Sequence, residues 1–332
     1  MEKSKIKELI NEFENERWSF IEDAYWLSSI GRIEVVHYTM FDTLRSIEKE
    51  PVLWLTEYNA LNDLSEFKVA GQIITRMYQF YTDERKAGSI DIEQIRGKIE
   101  KEELYLLNRI EAHYDKFIKQ NTFCCFSFTR KYDDLNQWRY YANDGNGIAL
   151  TSTVKEVIKA FVKPVEARQT IFWQYYAARP SLKGFFVERC LYGNEVFERL
   201  FNHIDRAIKL INGYKIDNAN INKLIDGYAE IIAKIIVYYS SLAKQDAFRD
   251  EDEIRIVSFF DKKKFQKKCL SRKNRKGIEV RYVKVKMRTS PKNSWIKNIQ
   301  AGPTLAEKDK SAVAEFCSGN GIDVSYSSIP LR

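Results

Sequence analysis

Apolar and polar positions along the chain follow helical spacing in some stretches and strand-like alternation in others. Apolar residues spaced three and four apart predict an amphipathic helix over residues 4–26 and a short helix over 41–48. Short runs rich in β-branched and aromatic residues predict strands at 33–39, 53–56, 123–129, 148–151, 162–172, 253–260, 278–285, 295–300 and 322–326. Because strands and helices mix without a repeating βαβ unit, we expect an α+β fold with a mixed or antiparallel sheet core.

Two long helical stretches interrupt the predicted strands. One runs from residue 63 to about 118, and the other runs over 182–247, which we interpret as a large helical insertion. Shorter helices are predicted over 132–143 and 306–318. The predicted organisation is an N-terminal helix at 1–30, a first part of the α+β core at 31–181, the helical insertion at 182–247, and a second part of the core with a basic hairpin at 248–332.

Composition excludes several classes of protein. The five cysteines show no C-x-x-C spacing and the three histidines lie far apart, so neither a zinc site nor a disulfide framework is expected. The charged N-terminus lacks the apolar core of a secretory signal, and no stretch of about 18 uncharged apolar residues could form a transmembrane helix. We therefore expect a cytoplasmic protein with reduced thiols, no bound metal and no membrane partner.

Positive charge is concentrated in one part of the chain. The net charge is +8, yet residues 261–297 alone hold 15 Lys and Arg residues against two acidic residues. Such density favours phosphate-bearing partners. We expect nucleic acid to contact the basic segment 262–288 on a mobile hairpin loop, through Lys267, Lys268, Arg272, Lys273, Arg275 and Lys276. The alternative is a solvated rim that serves only solubility.

Polar residues at every second position of a strand share one face, because side chains alternate. Three predicted strands carry such a face, formed by His37 and Thr39, by Cys125, Ser127 and Thr129, and by Glu251, Glu253 and Arg255. We therefore expect His37, Ser127 and Glu253 to point out of an apolar sheet into one cleft, within roughly 10 Å of one another.

Each of these residues also has a structural interpretation, which the sequence leaves open. His37 and Ser127 can be ordinary hydrogen-bonded strand residues. The two carboxylates and Arg255 can form a salt-bridge ladder on a sheet face. Trp138 and Tyr141, which are three positions apart on a predicted helix, can be core residues.

Several short motifs follow one another along the chain. In order they are His37-Tyr38-Thr39, Leu61-Asn62-Asp63-Leu64-Ser65-Glu66, Cys125-Phe126-Ser127-Phe128-Thr129, Trp138-x-x-Tyr141-Ala142 with Gly147, and Glu251-Asp252-Glu253-Ile254-Arg255. Together they resemble a bacterial family known as a domain of unknown function, family 2971 (DUF2971). The segments 299–303 and 326–332 are similar to the family's ending. Each motif alone is short, but their order and spacing are specific, and the resemblance runs from about residue 33 to 332.

The order of these motifs is similar to that of the ADP-ribosyltransferase fold, in which a His or Arg on the first strand, a Ser or Tyr on a central strand and a Glu on a late strand surround NAD. The resemblance implies that Glu253 stabilises positive charge on the ribose when the nicotinamide bond breaks. It also implies that His37 holds the ribose hydroxyls and that Ser127 orients Glu253. NAD is then the substrate, and the residues implied in its binding are Tyr38, Thr39, Trp138, Tyr141, Glu251 and Arg255. Pairing of Arg255 with the pyrophosphate and pairing with Glu253 are both open.

Three functions of different classes are consistent with these residues. The resemblance favours an ADP-ribosyltransferase-like enzyme, for example a toxin or antiphage defence effector that acts on nucleic acid or protein beside a defence-system partner protein. The second is a non-catalytic nucleic-acid-binding component of a phage-defence system, in which the basic segment binds and the His, Ser and Glu are structural. The third and weakest is a metal-dependent nuclease that uses Glu251, Asp252 and Glu253.

Overall fold

The structure is a computed structural model that describes residues 3–22, 31–60, 72, 75–76, 78–79, 101–160, 186–213, 218–273, 277–287 and 295–330. Its helices and strands, in chain order, are α1 Lys3–Glu22, β1 Glu34–Met40, α2 Asp42–Lys49, β2 Val52–Glu57, α3 Lys101–Gln120, β3 Asn121–Thr129, α4 Leu135–Tyr141, β4 Gly147–Thr153, α5 Val154–Ala160, β5 Phe186–Arg189, β6 Leu191–Tyr192, α6 Glu195–Gly213, α7 Asn218–Ser240, β7 Ala243–Lys244, β8 Glu253–Asp261, α8 Lys262–Lys268, β9 Leu270–Lys273, β10 Glu279–Lys286, β11 Asn298–Ala301, α9 Glu307–Asn320 and β12 Asp323–Tyr326.

The chain divides into two compact units. The first comprises residues 1–23, 62–121 and 191–246, and its described elements are mostly helices. The second comprises residues 24–61, 122–190 and 247–332, and it contains the large sheet. All the candidate site residues that the structure describes belong to the second unit.

The helical unit is organised around α7, which is apolar on most of its circumference and packs against α1, α3 and α6. The rings of Phe13 and Tyr228 stack with their centroids 4.3 Å apart. Gly227 allows this close approach, since a Cβ there would lie 2.4 Å from Cδ1 of Ile10. The unit also contains a two-stranded parallel sheet of β6 and β7.

Ten of the described strands form one sheet in the second unit. Eight of them follow the order β12-β11-β4-β1-β3-β2-β10-β9, while β8 pairs with β3 and β5 pairs with β8. Most of the registered pairs are antiparallel, and β11 with β12 is parallel. A long antiparallel sheet with helices segregated outside it is the arrangement of an α+β domain.

Apolar residues cluster on both faces of this sheet. The larger core lies on the face of Val35, Leu55, Cys124, Phe128 and Ile254, which we call the core face. A smaller cluster covers part of the other face, which we call the second face, and its residues are Val36, Tyr38, Trp138, Ala142 and Ala149. Where both faces are covered, the strands lose the simple alternation of apolar and polar residues.

The predicted α+β class with a mixed, mostly antiparallel sheet is confirmed. The similarity of the motif order to the ADP-ribosyltransferase fold stays a prediction. Several predictions lie outside the described residues, namely the strand at 162–172, the Asn62-Asp63 motif and most of the helical stretch before residue 101. No helix in the described part of the chain is long and apolar enough to cross a membrane.

Two predicted elements were wrong. The basic segment is not a hairpin loop over its first part, because residues 262–268 form α8 and residues 270–273 form the edge strand β9. The strands on either side of it are not hairpin partners either, since β8 pairs with β3 and β5 while β10 pairs with β2 and β9. The stretch predicted as helical over 182–247 does contain the helices α6 and α7, but near its start it contains β5, whose four residues pair with β8.

Candidate functional site

The central strand β3 shares one of its edges between two partners. Two contacts indicate that β8 runs antiparallel along the other edge, since Arg130 donates its backbone N–H to Asp252 O (3.2 Å) and the Phe123 and Phe259 rings lie 5.7 Å apart. On the shared edge β1 pairs at Thr129, and β2 pairs at Cys125 and Cys124. Ser127 therefore lies between the end of one pairing and the start of the next.

The imidazole of His37 lies at this interval in the pairing. Its Nδ1 is 3.0 Å from the backbone carbonyl oxygen of Ser127, and a carbonyl can only accept, so Nδ1 carries the proton. The ring contacts the rings of Phe126 and Phe128, at 4.3 and 6.1 Å between centroids. Burial lowers the pKa of His37 to about 4, against the opposing effect of the hydrogen bond to Ser127. The ring is therefore neutral at physiological pH.

His37 and Ser127 point to opposite faces of the sheet. Val36 pairs with Thr129, so both lie on the second face, and alternation puts Ser127 there too. The same alternation turns His37 to the core face beside Phe128. The predicted convergence of His37, Ser127 and Glu253 on one cleft is therefore wrong, because His37 reaches only the backbone of Ser127.

Glu253 and Arg255 form a buried ion pair on the second face. Arg255 donates from Nε to Glu253 Oε1 (2.7 Å) and from Nη2 to Oε2 (3.2 Å). Only 5% of Glu253 and 2% of Arg255 are exposed. Alternation supports this placement, since Ile254 and Ile256 between and beyond them pack into the core face. Of the two pairings that the sequence left open for Arg255, the structure shows the one with Glu253.

Ser127 lies beside this ion pair. The antiparallel register of β3 and β8 that the Arg130 and Phe123 contacts indicate places Ser127 opposite Arg255. Ser127 is half-buried, and within the described part of the chain its hydroxyl makes no hydrogen bond. Ser127 and Glu253 thus share a face as predicted, but the carboxylate is occupied by Arg255.

Glu251 is more accessible than Glu253. It is half-buried at the end of a 3₁₀ helix, where Tyr141 donates from its hydroxyl to Glu251 Oε1 (2.8 Å). The Thr129 hydroxyl donates to the backbone oxygen of Glu251 (2.6 Å), which ties this segment to β3 on the second face. The following residue, Asp252, has a φ of 43° and is held by both Nε and Nη2 of Arg130. These contacts fix the direction in which the Glu251 side chain leaves the backbone.

The remaining residues implied in NAD binding are engaged within the fold. Trp138 is completely buried, and its ring meets the buried Tyr38 ring edge-on at 4.8 Å. Burial raises the pKa of Tyr38, whose protonated hydroxyl donates to Lys131 O (3.1 Å). Thr39 shares a hydrogen bond of 2.8 Å with Thr43 on α2. With Arg255 bound to Glu253, these side chains do not offer the stacking and phosphate contacts assigned to them for NAD.

Asp133 joins the Trp138 segment to the C-terminal residues Ser327 and Ser328, a contact that was not predicted from the sequence. Its carboxylate accepts from Trp138 Nε1 (2.8 Å), Ser327 Oγ (2.5 Å) and Ser328 N (2.9 Å). Burial tends to raise the pKa of Asp133, but these hydrogen bonds outweigh it and the pKa is lowered. The signal that could have found this contact is the resemblance of the tail 326–332, which includes Ser327 and Ser328.

Two glycines allow the loops of this region to approach closely. A Cβ on Gly302 would lie 2.0 Å from the backbone oxygen of Gly145, and one on Gly147 would lie 2.4 Å from that of Thr39. Gly302 donates its N–H to Gly147 O (2.9 Å) and Thr304 donates to Gly145 O (3.2 Å). The glycines of two motifs used for the family resemblance are therefore required by backbone packing.

The basic segment forms an exposed edge of the sheet. Phe265 is the one residue of α8 that is buried, and all four residues of β9 are exposed. Of the residues expected to contact nucleic acid, Lys267, Lys268, Arg272 and Lys273 lie on these two elements, and Arg275 and Lys276 lie outside the described residues. We call residues 262–273 the basic ledge.

Comparison with known proteins bears on the central motifs. Residues 137–256 match the model of a family described as "Protein of unknown function (DUF2971)". The matched stretch includes Trp138, Tyr141, Glu251 and Glu253, which carried part of the resemblance. No curated protein and no solved structure matches the chain. The resemblance expected from the motifs is confirmed over residues 137–256, where this chain is similar to DUF2971, a family of unknown function.

Proposed function

We propose that this protein binds nucleic acid through the basic ledge. The observation that carries the proposal is that four lysines of the ledge have no charge partner among the residues that the structure describes. They are Lys262, Lys263, Lys267 and Lys273. The guanidinium of Arg272 lies over two aromatic rings and makes no ion pair in the described part of the chain. A partner that supplies phosphates would neutralise them.

Two other cations near the ledge, Arg281 and Lys284, are already neutralised. Arg281 on β10 donates from Nε to Glu57 Oε2 (2.8 Å) and lies over the Phe265 ring. Lys284 on the same strand is paired with Glu50. The four lysines without a described charge partner lie on α8 and the edge strand, where solvent and a ligand have access. That distribution favours an external anionic partner over a general solubilising role.

The lysines of α8 destabilise the helix that they form. Lys262, Lys263 and Lys264 occupy the first turn, where the helix dipole disfavours positive charge. Lys263 with Lys267, and Lys264 with Lys268, are like charges four positions apart, each costing about 0.2–0.5 kcal/mol. The N-cap is Asp261, whose side chain accepts from the backbone N–H of Lys264. Phosphate groups bound at this helix would reduce the repulsion between its lysines, which supports phosphate contacts there.

Salt dependence of binding tests this proposal. Fluorescence anisotropy with labelled oligonucleotides should show an affinity that falls steeply with salt, by a slope of about −0.7 for each phosphate that a single strand contributes. Replacing Lys267, Lys268, Arg272 and Lys273 by Ser should lower both affinity and slope. A control with Lys155, Lys159, Lys308 and Lys310 replaced by Ser removes the same charge elsewhere in the second unit. Absence of binding by the parent protein, or equal slopes in both variants, would refute the proposal.

An ADP-ribosyltransferase-like activity is a second proposal, with a different set of residues. The observation that favours it is the presence of three half-buried polar side chains, Ser127, Tyr141 and Glu251, on the second face. Glu253 is held by Arg255, so Glu251 is the carboxylate better placed to meet a ligand. Incubation with NAD and cell extract should then release nicotinamide, and Glu251→Gln should stop the release while Glu279→Gln does not. Absence of release by the parent protein would end this proposal.

A further inference from the structure

An aromatic pair lies on the outward side of the sheet next to the ledge. Trp54 on β2 pairs in register with Lys284, and Tyr282 on β10 pairs with Thr56, so all four side chains share one side. The rings of Trp54 and Tyr282 stack at 4.7 Å between centroids, with 26° between their planes. This side is opposite to the one that buries Leu53 and Leu55 in the core.

Arg272 completes the cluster from the edge strand. It pairs in register with Val280 and therefore points to the same side as Tyr282. Its guanidinium carbon is 4.7 Å from the Trp54 ring centroid and 6.0 Å from the Tyr282 centroid. A guanidinium stacked on the opposite face of the indole would be much farther from Tyr282 than from Trp54. Arg272 is therefore not stacked on the face of Trp54 opposite to Tyr282.

This arrangement leaves the face of the Trp54 indole opposite to Tyr282 available to another flat group. In the described part of the chain, no other ring stacks on Trp54. Trp54 is half-buried and not enclosed in the core. Nearby on the same side, Leu270 is 44% exposed and Lys286 is exposed. The surface thus combines an indole face, apolar area and cations.

We propose that this surface binds the unpaired bases of a single-stranded nucleic acid, with one base stacked on Trp54. Because the bases of a duplex already stack on one another, their faces are not available to an indole, whereas each base of a single strand offers one. Arg272, Lys286 and the ledge lysines follow the phosphates. This inference rests on the proposed nucleic-acid binding and specifies its substrate class.

The first test compares three ligands with the same number of phosphates. The parent protein is titrated by anisotropy with a single strand of about 12 nucleotides, an abasic strand of that length, and a duplex that presents the same phosphate count. The single strand should bind about fivefold or more tightly than the abasic strand, because base–aromatic stacking is lost in the latter. Equal affinity for the base-bearing and abasic strands would overturn the inference without affecting the ledge.

The second test uses variants of the aromatic surface. Trp54→Leu keeps apolar cover on the sheet but removes the ring, and it should weaken single-strand binding about fivefold or more while duplex binding is unchanged. Trp54→Phe should keep most of the affinity, and Tyr140→Leu, at a residue 72% exposed on α4, should keep all of it. An unchanged single-strand affinity in Trp54→Leu would overturn the stacking site. No binding by the parent protein to any ligand would overturn both this inference and the proposed function.

Discussion

The ring of His37 donates a hydrogen bond from Nδ1 to the backbone carbonyl oxygen of Ser127, at 3.0 Å. The bond forms at the interval where β3 passes from pairing with β1 to pairing with β2. A histidine side chain thus satisfies a backbone acceptor at a place where the sheet changes partner. This role requires the neutral ring with its proton on Nδ1, since a carbonyl only accepts.

The lowered pKa of His37 predicts a loss of stability in acid. In the folded protein the pKa is about 4, while in the unfolded chain it is near 6.5. Between these values the unfolded chain binds more protons, so the contribution of His37 is complete above pH 6.5 and is lost as the pH falls towards 4. The slope from this one group is at most about 1.4 kcal/mol per pH unit.

Urea unfolding of the parent protein and of His37→Gln across this pH range measures that slope. At neutral pH the variant should be less stable than the parent, because it lacks the contribution of the neutral imidazole. Because glutamine does not titrate, the free energy of unfolding of the variant should fall less steeply in acid. The chain contains only two other histidines, His113 and His203, which allows the His37 resonance to be assigned by NMR. An NMR titration that gave His37 an ordinary pKa would contradict the burial argument.

The buried Glu253–Arg255 pair predicts a large effect on stability. Glu253→Gln removes the carboxylate that pairs with the buried guanidinium of Arg255, and breaking a buried ion pair costs about 3–5 kcal/mol. The double variant Glu253→Gln/Arg255→Met should recover much of this loss, because it removes the buried positive charge as well. Both are measured by urea unfolding at neutral pH.

The Arg130–Asp252 pair provides the matched control. It has the same bidentate geometry, but the side chains are 39% and 26% exposed. Asp252→Asn should therefore cost no more than about 1 kcal/mol. Comparable losses in the exposed and the buried pair would show that burial does not dominate the energetics of Glu253.

Alternation along single strands was predictable from the sequence, but the relation between strands was not. As predicted, Cys124, Phe126 and Phe128 lie on the face of β3 opposite to Ser127, and Ile254 lies on the face of β8 opposite to its charged neighbours. Which faces of two strands coincide depends on their register, and one pairing of Val36 with Thr129 was enough to separate His37 from Ser127. The assumption that a polar residue marks a non-core face failed for this reason.

The basic segment shows a second limit of sequence reasoning. Its charge density suggested a loop, yet Phe265 anchors a helix and β9 adds to the sheet edge. One buried aromatic residue among lysines is a weak signal, because helix periodicity needs several apolar positions to be visible. The stacking of Arg272 on Trp54 could not be found either, since more than 200 residues separate them and only the sheet brings them together.

Substitutions of two glycines, one packed against another loop and one on an open helix surface, should have opposite effects on stability. Gly302→Ala would place a Cβ 2.0 Å from the backbone oxygen of Gly145, so the backbone has to move, at a cost of about 2 kcal/mol or more. Gly319→Ala meets no atom within 4 Å and lies in α9, where alanine favours the helix by up to about 1 kcal/mol. Thermal unfolding should show the first variant below the parent and the second at or above it; the reverse order would contradict the packing.

Replacing one lysine of the ledge should raise stability and lower affinity together. Lys263→Glu puts a carboxylate in the first turn of α8 and changes the repulsion with Lys267 into an attraction, which should stabilise the protein by about 0.5–1.5 kcal/mol. The same change removes a phosphate contact and should weaken oligonucleotide binding by a few fold at low salt, with less effect as salt rises. Lys308→Glu is the control, since it makes the same charge change in the first turn of α9, beside the opposite edge strand β12. Urea unfolding and anisotropy on both variants separate the local contact from net charge, and equal losses of affinity would show that Lys263 acts only through net charge.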